Sequence, residues 1–131
     1  MDKKYLLDTH TLFWYLTASP KLSKKAKEII DKGLNREVSL IVSVITLAEL
    51  YFLNEKSDSP LNFSDEYKKL MLEEIFEVVS IEPEDILVFS QISEIKEMHD
   101  RLIGSTALRY KAVVITKDKE IRASNKVQAI W

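Results

Sequence analysis

The sequence predicts an α/β fold of three layers, a parallel sheet covered by helices on both faces. Two observations carry this. Five short segments are almost continuously apolar, as strands buried on both faces are. Between successive strands lie segments of helical periodicity, the crossovers that parallel strands require. The 131 residues suit a single domain, 1–131. That length can bury a core without covalent staples. No repeat, low-complexity tract or linker interrupts it.

Residues 4–7 form the first predicted strand. Thr9 to Leu16 follows as a helix with Leu12, Phe13 and Leu16 on one face, and Pro20 lies beyond its stop. Leu22 to Leu34 is the second helix, with Leu22, Ala26, Ile29 and Ile30 inward and Gly33 and Asn35 expected to end it. Residues 39–43 are the second strand. Ser43 is placed to N-cap a helix running to about Asn54. The polar stretch from Asn54 to Pro60 reads as a loop. A helix from Ser64 to Phe76 leads to a strand at 77–81. Pro83 sits at the first position of a helix expected to reach Lys96. The last helix runs from His99 to Tyr110, followed by strands at 112–116 and 127–130.

The chain has no cysteine, which excludes disulfides, thiol nucleophiles and thiolate metal sites. A reducing cytoplasm is consistent with that and is the expected location. The apolar stretch near the start is too short for a signal peptide. No run approaches the roughly 18 apolar residues of a membrane span, so no membrane partner is expected. Net charge is −2, which argues against a high-affinity, non-specific nucleic-acid binder. It leaves room for a nuclease that meets the backbone through metals and a few local cations. With two glycines, a Gly-rich phosphate loop is excluded.

Asp8, Glu49, Asp100 and Asp118 each adjoin or interrupt an apolar segment. A carboxylate near a core loses hydration and needs a partner. If the four converge, each close pair repels by roughly 3 kcal/mol at about 5 Å and an effective dielectric of about 20. One or two divalent metals relieve that, and oxygen-rich sites suit Mg²⁺ or Mn²⁺. Asp8 and Asp118 follow strand C-termini, where ligands bind in parallel α/β sheets. Metal-assisted phosphodiester hydrolysis is the natural chemistry of such a set.

Each acid also has a plainer reading. Asp8 could cap the following helix, and Asp100 could simply favour a helix dipole. Asp118 could start a turn or a short helix. Glu49 could pair with a buried Arg or Lys. His10 and His99 neighbour candidate acids but read as surface or supporting residues, with no pair at zinc spacing. Arg101, Arg109, Lys117, Lys119 and Arg122 could supply a local positive field. Phe13, Trp14, Tyr15, Tyr51 and Phe52 exceed what one sheet of this size needs, so part of them is expected to form an interface patch.

Four motifs in order resemble the PIN-domain family, the nuclease fold of VapC-type toxins. They are Leu6-Leu7-Asp8-Thr9-His10-Thr11-Leu12, Ser43-Val44-Ile45-Thr46-Leu47-Ala48-Glu49-Leu50, Asp100 to Ala107, and Thr116-Lys117-Asp118, with a close on Val127 to Trp131. The resemblance implies a five-stranded parallel sheet and a metal site of Asp8, Glu49, Asp100 and Asp118. It also implies Mg²⁺- or Mn²⁺-dependent cleavage of an RNA substrate, a cognate antitoxin and a homodimer. One place departs from the pattern: Glu97-Met98-His99-Asp100 stands where relatives often carry Asp-Pro-Phe-Asp. Without the proline the helix can begin earlier, and Glu97's role is open. The rivals are a related nuclease acting on DNA or in RNA processing without an antitoxin, and a non-catalytic metal- or nucleic-acid-binding module.

Overall fold

A computed structural model of the protein describes residues 3–131. The elements run β1 (Lys4–Leu7), α1 (Thr9–Leu16), α2 (Lys24–Leu34), β2 (Ser39–Ser43), α3 (Val44–Lys56), α4 (Phe63–Leu72) and β3 (Phe76–Val79). They continue with α5 (Pro83–Leu87), α6 (Met98–Tyr110), β4 (Val113–Ile115), α7 (Lys119–Ala123) and β5 (Ala129–Ile130). A short 3₁₀ turn, Phe89–Ile92, lies between α5 and α6. The five strands pair in the order β3-β2-β1-β4-β5, and every pairing is parallel. The expected α/β fold is therefore the observed one.

Strand alternation divides the core. Leu7, Leu40, Val42 and Ile115 pack with Leu12, Phe13, Ile29, Ile30, Leu47, Leu50 and Leu70 from α1 to α4. Leu6, Ile41 and Val114 face the other way, onto Ile92, Ile95, Ile103, Ala107 and Ile121. Both faces of the central strands are thus dry, which is why those strands read as uninterrupted apolar runs.

Several boundaries differ from the sequence expectation, each for a local reason. Ser23 accepts a hydrogen bond from the Ala26 N–H and caps α2, so the helix starts at Lys24 rather than Leu22. Gly33 lies inside α2 instead of ending it. A Cβ at Gly33 would stand 2.2 Å from Leu40 Cδ1, so glycine is there to let the helix approach β2. Asn54 is buried within α3, not in a loop. Its amide donates to the Leu61 carbonyl (2.9 Å) and its Oδ1 accepts the Leu61 N–H (3.0 Å), closing the connection to α4. Helix α4 stops at Leu72. Glu74 takes a positive φ of 55°, which reverses the chain and frees Phe76 to enter β3. The helix at Pro83 ends at Leu87 rather than Lys96, and the chain turns through the 3₁₀ segment to bury Ile92 and Ile95.

Gly33→Ala tests the close approach. Alanine gains about 1 kcal/mol in helix propensity, but overpacking against the buried Leu40 costs about 1–3 kcal/mol. A net loss of about 1 kcal/mol is expected in urea unfolding.

Candidate metal-binding cleft

The strand order reverses between β1 and β4, and a crevice opens beyond their carboxyl ends. Asp8 follows β1 and Asp118 lies three residues beyond β4, so they flank it. Helix α3 brings Glu49, and the first turn of α6 brings Asp100. All four acids line one concavity of about 660 Å³. Its wall also includes His10, Trp14, Phe52, Lys56, Glu97 and Lys117.

The plainer readings of Asp8 and Asp118 hold alongside their place in the cleft. Asp8 Oδ1 accepts the Thr11 N–H (3.0 Å) and caps α1. Asp118 Oδ1 accepts the Ile121 N–H (2.9 Å) and caps α7. Thr116 ties the two together. Its hydroxyl donates to Asp8 Oδ2 and accepts the Asp118 N–H at 2.9 Å. Thr116 is fully buried, so this link fixes both acids from below. Glu49 has no Arg or Lys partner among the described residues. Thr9 donates to its Oε1 at 2.7 Å, and His99 Nδ1 lies 3.4 Å from its Oε2.

The strain of the crowded acids falls on Asp100. Burial pushes its carboxyl up to about 7, helped by repulsion from Asp118, Glu97, Glu49 and Asp8. These residues therefore fit a divalent cation: the donors are hard oxygens, and the site carries negative charge in excess of its solvation. The tightest grouping is not the predicted quartet. Among the described residues, the set whose ligand atoms all lie within 4.8 Å of one another is Glu49, Glu97 and His99.

Of the five basic residues near the motifs, Lys117 reaches the cleft. Arg101 donates to the Ile95 and Ser93 carbonyls. Arg109 pairs with Asp85, and Lys119 and Arg122 line a separate concavity beside Trp131. Lys56 lies in the cleft wall although its sequence neighbourhood reads as a loop. The roles of Thr9 and Thr116 also escaped the sequence reading. The one available signal, for Thr116, was a threonine closing a strand two residues before an acid, the spacing of a hydroxyl turn.

Residues 5–126 match the PIN domain. The chain belongs to the PIN-domain family. Nucleases of this family are hydrolases of nucleic acid that use divalent metal ions. Solved structures share the PIN fold along essentially the whole length. VapBC2 from Rickettsia felis, bound to a promoter DNA fragment, matches with TM-score 0.71 and 19% identity over 98% of each chain. DNA-bound VapBC from Salmonella typhimurium gives 0.71 and 21%, covering 98% of this chain and 97% of that one. FitAcB from Neisseria gonorrhoeae gives 0.65 and 22%, covering 97% and 96%. At these identities the likeness shows the fold. No curated protein sequence matches the chain. Among the described residues of this PIN domain, no helix is long and apolar enough to cross a membrane.

Proposed function

We propose that the protein is a metal-dependent endoribonuclease, the toxin of a toxin–antitoxin pair. The observation that carries this is the convergence of Asp8, Glu49, Asp100 and Asp118 on one cleft at the sheet's switch point. These four acids would hold Mg²⁺ or Mn²⁺. Such an ion, when bound, lowers the pKa of a water and offsets charge on the phosphodiester oxygens. The protein's own part is positional. Thr116 and the α1 backbone hold Asp8 in one orientation, and Thr9 does the same for Glu49. Lys56 and Lys117 line the same cleft and would supply positive charge where backbone phosphates lie. Phe52 gives it an exposed apolar wall on which a base can stack, while the Trp14 ring is already packed by His10 and Trp131.

Purified protein should cut single-stranded RNA with Mg²⁺ or Mn²⁺ and stop in EDTA. Asp8→Asn and Asp118→Asn should each lower the rate at least about 100-fold with an unchanged circular dichroism spectrum, the scale of losing preorganised charge at a reacting centre. Full cleavage by Asp8→Asn would overturn the assignment. Cutting of DNA alone would favour the rival nuclease.

The partner reading rests on an apolar groove. Phe13 is core, and Trp14 and Tyr15 are half-buried, but Tyr51 and Phe52 are exposed. With Phe63, Tyr67 and Met71 they line a concavity of about 400 Å³ between α3 and α4. The neighbouring solved structures include a toxin–antitoxin complex from Klebsiella pneumoniae. A groove of this kind suits the apolar face of an antitoxin helix, and we assign it to that partner. We also assign the toxin a two-fold homodimer. Light scattering should give twice 15.2 kDa, and a clean monomer would refute the dimer.

A further inference from the structure

We propose that Glu49, Glu97 and His99 form a mixed oxygen–nitrogen site for a divalent transition-metal ion. Its ligand set is distinct from Asp8, Asp100 and Asp118. It shares Glu49 with the nuclease centre proposed above, but it stands on its own geometry.

The first support is the number of acceptors. Two carboxylate oxygens converge on one imidazole nitrogen. Glu97 Oε1 is 3.0 Å and Glu49 Oε2 is 3.4 Å from His99 Nδ1. An Nδ1–H carries one proton and serves one of these acceptors well. A cation held by all three removes that conflict, because Nδ1 then offers its lone pair.

The second support is spacing. Metal–ligand bonds of about 2.0–2.2 Å place neighbouring ligand atoms roughly 3.0–3.4 Å apart in octahedral or tetrahedral sites. The two separations from His99 Nδ1 fall in that window, and all three ligand atoms lie within 4.8 Å of one another.

The third support is that both carboxylates are already oriented by donors outside the ligand set or in the backbone. Glu49 Oε1 accepts from the Thr9 hydroxyl, leaving Oε2 toward His99. Glu97 Oε2 accepts the His99 backbone N–H and caps α6, leaving Oε1 toward the same nitrogen. Ligands held this way are arranged before the ion arrives. His99 is fixed within the first turn of that helix.

Imidazole disfavours Mg²⁺ and suits the first-row transition ions, with Mn²⁺ at the weak end of that series. An oxygen-only quartet and a site with one nitrogen therefore differ in which ion they prefer.

The test uses Mn²⁺ as the probe and the full chain without RNA. Pulsed electron paramagnetic resonance of Mn²⁺ on the Asp118→Asn protein should show modulation from a directly bound ¹⁴N. Adding His99→Gln should remove it and weaken Mn²⁺ binding at least tenfold, with Mg²⁺ affinity changed less than threefold. Glu97→Gln keeps a capping oxygen and should weaken Mn²⁺ in the same way. His10→Ala should leave the nitrogen signal intact. Absence of ¹⁴N modulation, or its survival in the His99→Gln protein, would overturn the site. Because no step reads RNA cleavage, its failure is distinguishable from failure of the nuclease reading.

Discussion

Asp100→Asn is expected to make the metal-free protein more stable while removing most of its RNA cleavage. The carboxyl of Asp100 is half-buried and faces Asp118, Glu97, Glu49 and Asp8. Burial first, and those neighbours second, raise it from 3.8 to about 7. The native state holds this proton where the unfolded chain has released it, so the group costs stability as pH rises from about 4 to about 7. Asparagine removes that cost. Discounted for solvent screening, the gain is about 1–2 kcal/mol at pH 8, or several degrees in Tm. The wild type should recover the difference with millimolar Mn²⁺, because a ligand of the native state stabilises it. Asp100→Asn should respond less. Equal Tm values for the two metal-free proteins, by differential scanning calorimetry at pH 8, would show that the acids do not strain the fold.

Arg109→Ala is expected to be the most destabilising single change considered, at about 3–5 kcal/mol. Asp85 is 1% exposed. Its carboxylate accepts two bonds from the Arg109 guanidinium, at 2.8 and 3.2 Å, and the Glu82 N–H at 2.9 Å. Arg109 also donates to the Ser80 carbonyl at 2.8 Å. One guanidinium thereby fastens α6 to the start of α5 and to the chain leaving β3. Alanine would leave the Asp85 charge buried without its cation. Arg109→Lys keeps the charge but not the fork, and should lose about 1–2 kcal/mol. Chemical denaturation of the two variants separates charge from geometry. An Arg109→Ala protein within about 1 kcal/mol of wild type would show that water replaces the pair.

Much of the fold was legible because burial leaves marks in sequence. The central residues of β1, β2 and β4 are apolar because both faces are dry there, and the caps at Asp8 and Ser43 fall where side-chain oxygens meet helical periodicity. What escaped depends on contacts distant in sequence or on single backbone angles. Hydrophobic periodicity does not register the positive φ at Glu74 that starts β3 early, nor the two bonds from Asn54 to Leu61. Gly33 looks like a helix terminator until Leu40 is placed beside it. The four acids stood out because a carboxylate beside an apolar run needs explaining. Thr9, Thr116 and Lys56 did not, since their residue types are ordinary where they stand. Arg109 stands near the acids in sequence and so suggests a positive field there, yet its partner Asp85 lies 24 residues away.

The double duty of Asp8 and Asp118 has a consequence for how this centre can be dissected. Each carboxylate also stops the fraying of a helix, a task worth about 1 kcal/mol that asparagine performs as well as aspartate. An alanine scan would therefore confound two losses and report an unwound helix as missing chemistry. At Asp118 asparagine isolates the charge, and the difference between its asparagine and alanine variants measures the helix end by itself; at Asp8 asparagine also turns an amide NH₂ toward the Thr116 hydroxyl that donates to the carboxylate.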